Sequence, residues 1–361
     1  DAAPPGSAEF ALQHGTIDAI LERPRLRPAL GALVSMLRPA ELPTQKAEPA
    51  ARTLPPAGRR PVWETVELSR HPDRPSGRAM AARVFTELFE LHGDREGADD
   101  DSIVAGVGRL GPHAVVVVAQ DRGSRTGGHT LPSGFRKAQR AFTLAERLGL
   151  PLVTLVDTPG AAVDAEAEAS GAAGAVAESL ARLARLRTPI INVVLGEGGS
   201  GGALALSVGD RLLMLENAIF SVIAPEAASA ILYHDAEHAH DLAARLKVTA
   251  TDLVELRLVD RIVPEQPAAH EAPELMAGVL RQTLLEELGQ LGGMSTKALL
   301  RRREERSRRV RQVRGRFGLL VRHPRSSLNR SRGAPPEREP GRKEAGVKGE
   351  SNGRAVGTRA G

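Results

Sequence analysis

Cysteine is absent from this 361-residue chain. Without it there is no disulfide, no thiolate nucleophile and no cysteine-based zinc site. A reducing, cytoplasmic setting is the expectation. Aromatic residues make up only 2%, which withholds the platforms on which single-stranded nucleic acid stacks its bases. No apolar run approaches the ~20 residues of a membrane-spanning helix. The opening Asp1-Ala-Ala-Pro-Pro has no charged segment followed by an apolar stretch, so no secretory signal is read there. It also lacks an initiator Met, and the chain is expected to start within a longer protein. What is present, 41% hydrophobic and 26% charged residues, fits a soluble globular enzyme whose core is built from Ala, Leu and Val.

Along the chain, residues 8–37 read as a short strand-and-helix piece. Gly15-Thr-Ile-Asp18 marks a turn into an apolar segment, and Leu26, Leu30, Leu33, Val34 and Leu37 follow at helical spacing. The piece is too small to fold alone and needs a surface to pack on. Residues 38–60, rich in Pro, Ala and charge, read as a linker. Residues 61–290 form the main domain. Helices are expected from 61, over 79–91, over 134–148, as one long Ala-rich helix over 161–186, from 203, and over 226–233, 236–245 and 250–256. Strands are expected near 103–105 and 114–118, and over 152–156, 189–195, 211–215, 219–223 and 258–263. The alternation predicts a layered α/β fold with parallel strands, with ligand sites beyond the strands' carboxyl ends. Residues 291–322 read as a basic, solvated C-terminal helix carrying Arg301-Arg-Arg and Arg308-Arg309, and 323–361 as a disordered basic tail.

Gly196-Glu197-Gly198-Gly199-Ser200-Gly201-Gly202 is the most informative segment. Glycine permits close approach because it has no Cβ, and a helix that starts here points unpaired N–H groups at whatever sits before it. Three readings compete. The run is a structural turn; or Gly196, Gly198 and Gly201 are a G-x-G-x-x-G dinucleotide site of an NAD-dependent oxidoreductase, with Glu216 as the ribose-binding acid; or the run is an oxyanion hole for acyl-CoA chemistry. No Lys-Ser or Lys-Thr follows, which excludes a P-loop. Ser200 matches G-x-S-x-G in spacing. However, His234, His238 and His240 lie on an Ala-rich, exposed stretch, and an elbow triad runs Ser, acid, His, so a hydrolase is disfavoured. His234 and His238, four residues apart with no His-Glu motif, read as surface histidines and not as a metal site.

Further segments carry a resemblance. Arg70-His-Pro-Asp-Arg-Pro75, Gly93-Asp-Arg, Ala98-Asp-Asp, Gly134-Phe-Arg-Lys-Ala138, Val156-Asp-Thr-Pro-Gly-Ala161, the glycine run through Ala205, Val208-Gly-Asp210, Pro225-Glu226 and Val259-Asp-Arg-Ile-Val-Pro-Glu265 occur in order. Over about residues 61–300 the chain resembles the α subunit of bacterial acetyl-CoA carboxylase carboxyltransferase. Ala8-Glu-Phe-Ala-Leu-Gln-His-Gly-Thr-Ile-Asp18 resembles the end of the β subunit, so 1–37 looks like a β-type tail and the whole like a fused β/α form.

The resemblance implies a ClpP/crotonase-like fold of repeated ββα units. It implies transfer of a carboxyl group from carboxybiotin, held on the separate biotin carboxyl carrier protein, to acetyl-CoA, giving malonyl-CoA for fatty acid biosynthesis. Gly201 and Gly202 match the family's catalytic oxyanion hole on the biotin side, with Gly198, Gly199 and Ser200 as the loop around it. Asp157, Thr158, Pro159, Gly160, Pro225 and Glu226 are candidate pocket residues. No metal is implied in this chain, because the zinc ribbon belongs to the β half. The implied partners are the β half, the carrier protein and biotin carboxylase, in a homo- or hetero-oligomer without membrane or nucleic acid; a non-catalytic assembly subunit is the other reading. The chain departs from the family at Ala162-Val-Asp-Ala-Glu-Ala-Glu-Ala-Ser-Gly171, at the shortened basic segment Ser124-Arg-Thr-Gly-Gly-His-Thr, and at Ala227, where the family has glycine. These differences bear on substrate contacts and on acetyl-CoA versus propionyl-CoA.

Overall fold

The computed structural model describes residues 3–37 and 60–317; the expected linker over 38–60, except its last residue, and the tail over 323–361 lie outside them. In chain order the elements are α1 (Ala8–Gln13), α2 (Arg23–Met36), α3 (Val62–Ser69), α4 (Gly77–Val84), β1 (Thr86–Leu91), β2 (Ile103–Leu110), β3 (His113–Gln120), α5 (Pro132–Leu148), β4 (Leu152–Thr158), α6 (Ala165–Ala169), α7 (Ala172–Arg185), β5 (Ile190–Gly199), α8 (Ser200–Leu204), β6 (Arg211–Leu215), β7 (Ile219–Ser221), α9 (Pro225–Tyr233), α10 (Ala239–Leu246), α11 (Ala250–Glu255), β8 (Arg261–Val263), α12 (Pro273–Gly292) and α13 (Thr296–Phe317).

The strands form one sheet in the order β1-β2-β3-β4-β5-β6-β8, with β7 paired to the end of β5. From β3 through β8 the pairs are parallel, as the βα alternation predicts. The β1-β2-β3 end is antiparallel, so the sheet is mixed. β3, β4 and β5 are buried along their whole length. Their β-branched runs, such as Val115-Val-Val-Val118, suit a strand covered on both faces. α5 packs on β2, β3 and α7, while α4 packs on β3, β4 and α12.

Local differences from the expectations have identifiable causes. The helix expected over 79–91 ends at Val84, and 86–91 pairs with β2 instead; a register shift between Thr86 and Phe89 and the positive φ of Glu87 (52°) mark a bulge there. The long helix over 161–186 is two helices, because Gly171 takes φ 83° between α6 and α7. The divergent 162–171 segment therefore holds a short helix capped by the Asp164 side chain. No strand forms in 8–37, where α1 and α2 lie. This N-terminal piece does find a surface: Asp18 pairs with Arg95 and Arg140, Arg109 donates to the Ser35 carbonyl, and Met36 joins the main core.

The basic C-terminal helix is not simply solvated. Arg303 on α13 is only 4% exposed and pairs with Asp210, itself 1% exposed. Its Nε and a terminal nitrogen donate to both Asp210 oxygens, at 2.8 and 2.7 Å, and it also caps the carbonyls of Leu183, Leu186 and Thr188. Asp210 in turn accepts from the Ile190 amide at the start of β5, so α13 anchors one end of the central strand. Removing one partner of a buried pair strands the other charge. Arg303→Met is expected to lower unfolding free energy by about 3–5 kcal/mol, read as a shift in the urea midpoint; Arg301→Met, on the exposed side, is expected to change it by less than about 0.5 kcal/mol.

Candidate active site at the end of the central strand

β5 does not stop at Leu195, where the apolar run ends; it continues through the glycines to Gly199. There it lies between two neighbours: Gly198 stands opposite Thr158 of β4, and Glu197, Gly198 and Gly199 pair with Ile219, Phe220 and Ser221 of β7. The turn after β4 is pinned beneath it. Thr158 Oγ1 lies 2.6 Å from the Gly128 carbonyl and accepts from the Gly160 amide at 3.0 Å, and Thr130 bridges to Ala161. Main chain meets main chain here. A Cβ on Gly199 would come within 2.0 Å of the Pro159 oxygen, and one on Gly202 within 2.4 Å of the Ala161 nitrogen. Glycine at these two positions is a packing requirement.

Gly201 is different. Its nearest obstruction is a Val176 methyl at 3.7 Å, an ordinary contact, so nothing in the packing demands glycine. Ser200 before it is exposed and takes φ 51°, a left-handed conformation that a non-glycine residue adopts at some cost. This twist ends the strand and starts α8. The amides of Gly201 and Gly202 lie in the first turn of α8, where no preceding helical carbonyl can accept. Among the described residues they make no hydrogen bond to another element. Ser200 and Gly201 sit at the edge of a cavity of about 620 Å³ whose walls include Leu204, Val208, Leu212 and Phe220. Gly202 is buried, and its carbonyl accepts from Gln120 Nε2 at 3.0 Å.

Behind the glycines lies a cluster of charges. The Glu197 carboxylate accepts from Arg70 at 2.7 and 3.1 Å and from Arg122 at 2.7 Å. Arg70 also reaches Glu226 in the first turn of α9, at 2.6 Å. Burial opposes the charge on Glu226, but the Arg70 bond outweighs it and holds the carboxyl below its usual range. The Glu197 amide donates to Asp157 Oδ1 at 3.1 Å. Burial pushes Asp157 up to about 6, against the pull of Arg122 and Arg74. Arg74 pairs with buried Glu265 and donates to the Leu195 carbonyl.

The residues singled out from sequence are thus gathered in one place. Pro159 and Gly160 form the turn under the glycines. Asp157 and Thr158 are buried behind it, where they order the backbone and do not line the cavity. Pro225 and Glu226 open α9 and join through Arg70. Sequence spacing does not reveal the role of the Glu197 carboxylate and its arginine partners, although Glu197 and Ser200 are the only side chains within the glycine run. The dinucleotide reading does not fit: Gly196 and Gly198 are in a strand, α8 has five residues, and the Glu216 carboxylate accepts from the Glu265 amide. No histidine lines the cavity beside Ser200; His238 stacks on Tyr233 and His240 on Trp63. Among the described residues no His, Cys, Asp and Glu cluster could hold a metal ion, and no helix is long and apolar enough to cross a membrane.

Comparison with known proteins shows the family. Residues 59–311 match the family model described as acetyl co-enzyme A carboxylase carboxyltransferase-like. The chain belongs to this carboxyltransferase family. It is 43% identical over 321 residues to the acetyl-coenzyme A carboxylase carboxyl transferase subunits beta/alpha of Salinispora tropica, covering 84% of this chain and 56% of that protein. It is 45% identical over 259 residues to the α subunit from a strain of Thermus thermophilus, covering 70% and 82%. The chain thus spans about half the length of the β/α relatives. The carboxyltransferase fold is seen in the transcarboxylase 12S core solved with methylmalonyl-coenzyme A (TM-score 0.54, 18% identity, 72% of this chain and 49% of that one). It recurs in a Pseudomonas malonate decarboxylase hetero-tetramer in complex with coenzyme A (TM-score 0.51, 22% identity, 62% and 91%). The crotonase-like layout is therefore that of this family of folds.

Within this chain Asp157 generates a pH signature. Its folded value, about 6, lies above the ordinary 3.8, so the folded state holds a proton that the unfolded state has released. Its contribution is present at pH 4 and is lost as pH rises through 6, amounting to about 3 kcal/mol. Asp157→Asn keeps the acceptor for Glu197 N–H and removes the titration. Urea unfolding of both proteins from pH 4 to 7 is expected to show the variant gaining on the parent by about that amount; parallel curves would contradict the buried carboxylate.

Proposed function

We propose that this chain is the α-type half of an acetyl-CoA carboxylase carboxyltransferase, moving a carboxyl group from carboxybiotin to acetyl-CoA to give malonyl-CoA. The observation that carries the reading is the Gly201 amide: it has no partner in another element, sits at the edge of a cavity, and needs no glycine for packing. Neutral main-chain donors of this kind suit the oxygen of a biotin urea, which gains negative charge as the N–C bond to the carboxyl group breaks. A preorganised donor aimed at a developing oxyanion contributes about 3 kcal/mol to the transition state. The chemistry supplied by carboxybiotin is the carboxyl group itself and, after that bond breaks, a ureido nitrogen to take the proton lost by the acetyl methyl, whose carbon then bonds to the carboxyl carbon. This chain needs no acid or base of its own for that exchange. Its part is to hold the ureido oxygen, with the walls around Leu204 and Phe220 excluding water.

In this reading residues 1–37 are the tail of a β-type half, 38–60 a linker, 61–290 the α-type domain, 291–322 the basic helix and 323–361 a tail. The β half supplies the acyl-CoA side of the site, the biotin carboxyl carrier protein delivers carboxybiotin, and biotin carboxylase recharges it. The assembly works in the cytoplasm and feeds fatty acid synthesis. Acetyl-CoA is the substrate argued for, with propionyl-CoA as the competing assay.

The two glycines make a controlled pair. Gly201→Ala, which meets only the Val176 methyl, is expected to fold normally and to lower kcat for malonyl-CoA formation by about 10–100-fold with a β-type half present. Gly202→Ala collides with backbone and is expected to lower stability by about 1–3 kcal/mol as well. A Gly201→Ala protein with the parent's turnover would reject the oxyanion role.

A further inference from the structure

The backbone from Gly198 to Gly202 carries one side chain, Ser200, and that is exposed. No side chain within the segment helps hold the Gly201 amide: its main chain rests on β7, on the 159–161 turn and on Gln120. The side-chain hold comes from Glu197, the residue before the segment. Glu197 is nearly buried, with a side chain 6% exposed, and it ties the end of β5 to three other parts of the chain. Its amide donates to Asp157 at the end of β4. One carboxylate oxygen takes Arg70, from the end of α3, and the other takes Arg122, from the segment after β3. Through the second face of Arg70 the tie extends to Glu226 on α9. Two guanidinium groups fix the carboxylate in two directions at once, as single hydrogen bonds cannot. One terminal nitrogen of Arg122 is buried without a hydrogen-bond partner, 3.9 Å from Asp157 Oδ1. Among the described residues Glu197 is therefore the only carboxylate to which Arg122 donates a hydrogen bond.

We infer that Glu197, gripped by Arg70 and Arg122, is a positioning residue for carboxyl transfer: it sets where the Gly201 amide points without touching substrate. The inference rests on the function proposed above. A displacement of about 1 Å in a group that stabilises a transition state costs on the order of 100-fold in rate, so a loosened grip acts on kcat and not on acyl-CoA binding, which the β half provides.

The test uses Glu197→Gln, which keeps size and one hydrogen-bond acceptor but loses the charge, and Glu226→Gln, which loosens Arg70 from its more exposed side. With a β-type half, carboxybiotin and acetyl-CoA, Glu197→Gln is expected to lower kcat about tenfold or more while KM for acetyl-CoA moves less than about threefold; Glu226→Gln is expected to lower kcat about two- to fivefold. Hydrogen exchange on the chain itself is the second readout: amides of residues 199–203 are expected to exchange about tenfold faster in Glu197→Gln, with those of β3 unchanged. Parent-like kcat and parent-like exchange in folded Glu197→Gln overturn the inference. If the parent chain shows no turnover, the proposed function fails, and exchange alone then decides the positioning role. If Glu197→Gln does not fold, Arg70→Lys, which keeps the charge and loses the fork, is read in the same way.

Discussion

Where β5 runs into α8, backbone lies directly against backbone, and much of the candidate site follows from that contact. Gly199 and Gly202 rest on the 159–161 turn with no room for a Cβ. The turn is itself stitched to Gly128 and Thr130. Because the two main chains touch, the strand must end abruptly, and it does so through the left-handed Ser200. The amides that follow, at the head of a short helix, make no hydrogen bond to another element among the described residues. A side chain at either contact glycine would lift the strand end off the turn and redirect those amides.

Charge does the remaining work at both ends of the same strand. At its start, Arg303 and Asp210 clamp α13 to the first residue of β5. At its end, Arg74 holds the Leu195 carbonyl and Arg70 with Arg122 holds Glu197. Such pairs are expensive to desolvate and add little net stability compared with apolar packing. Their value here is directional. A core of Ala, Leu and Val with few aromatics can slide; arginines hydrogen-bonded to both oxygens of a buried carboxylate resist sliding.

Most of the sheet was legible in the sequence because its strands are short runs rich in β-branched and other apolar residues with glycine or proline nearby, as at Val115–Val118 and Leu152–Val156. The 79–91 segment was misread because Val84, Phe85, Leu88 and Phe89 satisfy helical spacing equally well, and only pairing with β2 selects a strand there. The single helix over 161–186 failed at Gly171, whose positive φ has no signal in an Ala-rich run. The glycine segment was visible as a site, but its division was not. Which glycines serve packing, and which is free, depends on a turn some 40 residues earlier in the chain. The Glu197 clamp spans partners at 70, 122 and 226, a long-range arrangement that spacing rules cannot reach. Resemblance to the family, resting on ordered segments across the domain, carried further than periodicity did, and the family match over 59–311 bears it out.

The most direct measurement is a structure of this chain paired with a β-type half and bound to biotin methyl ester. The oxyanion role requires the ureido oxygen within about 3.2 Å of the Gly201 nitrogen, with Glu197 still held by both arginines. A ureido ring bound elsewhere, or a Gly201 amide bonded to another protein atom in that complex, would contradict it.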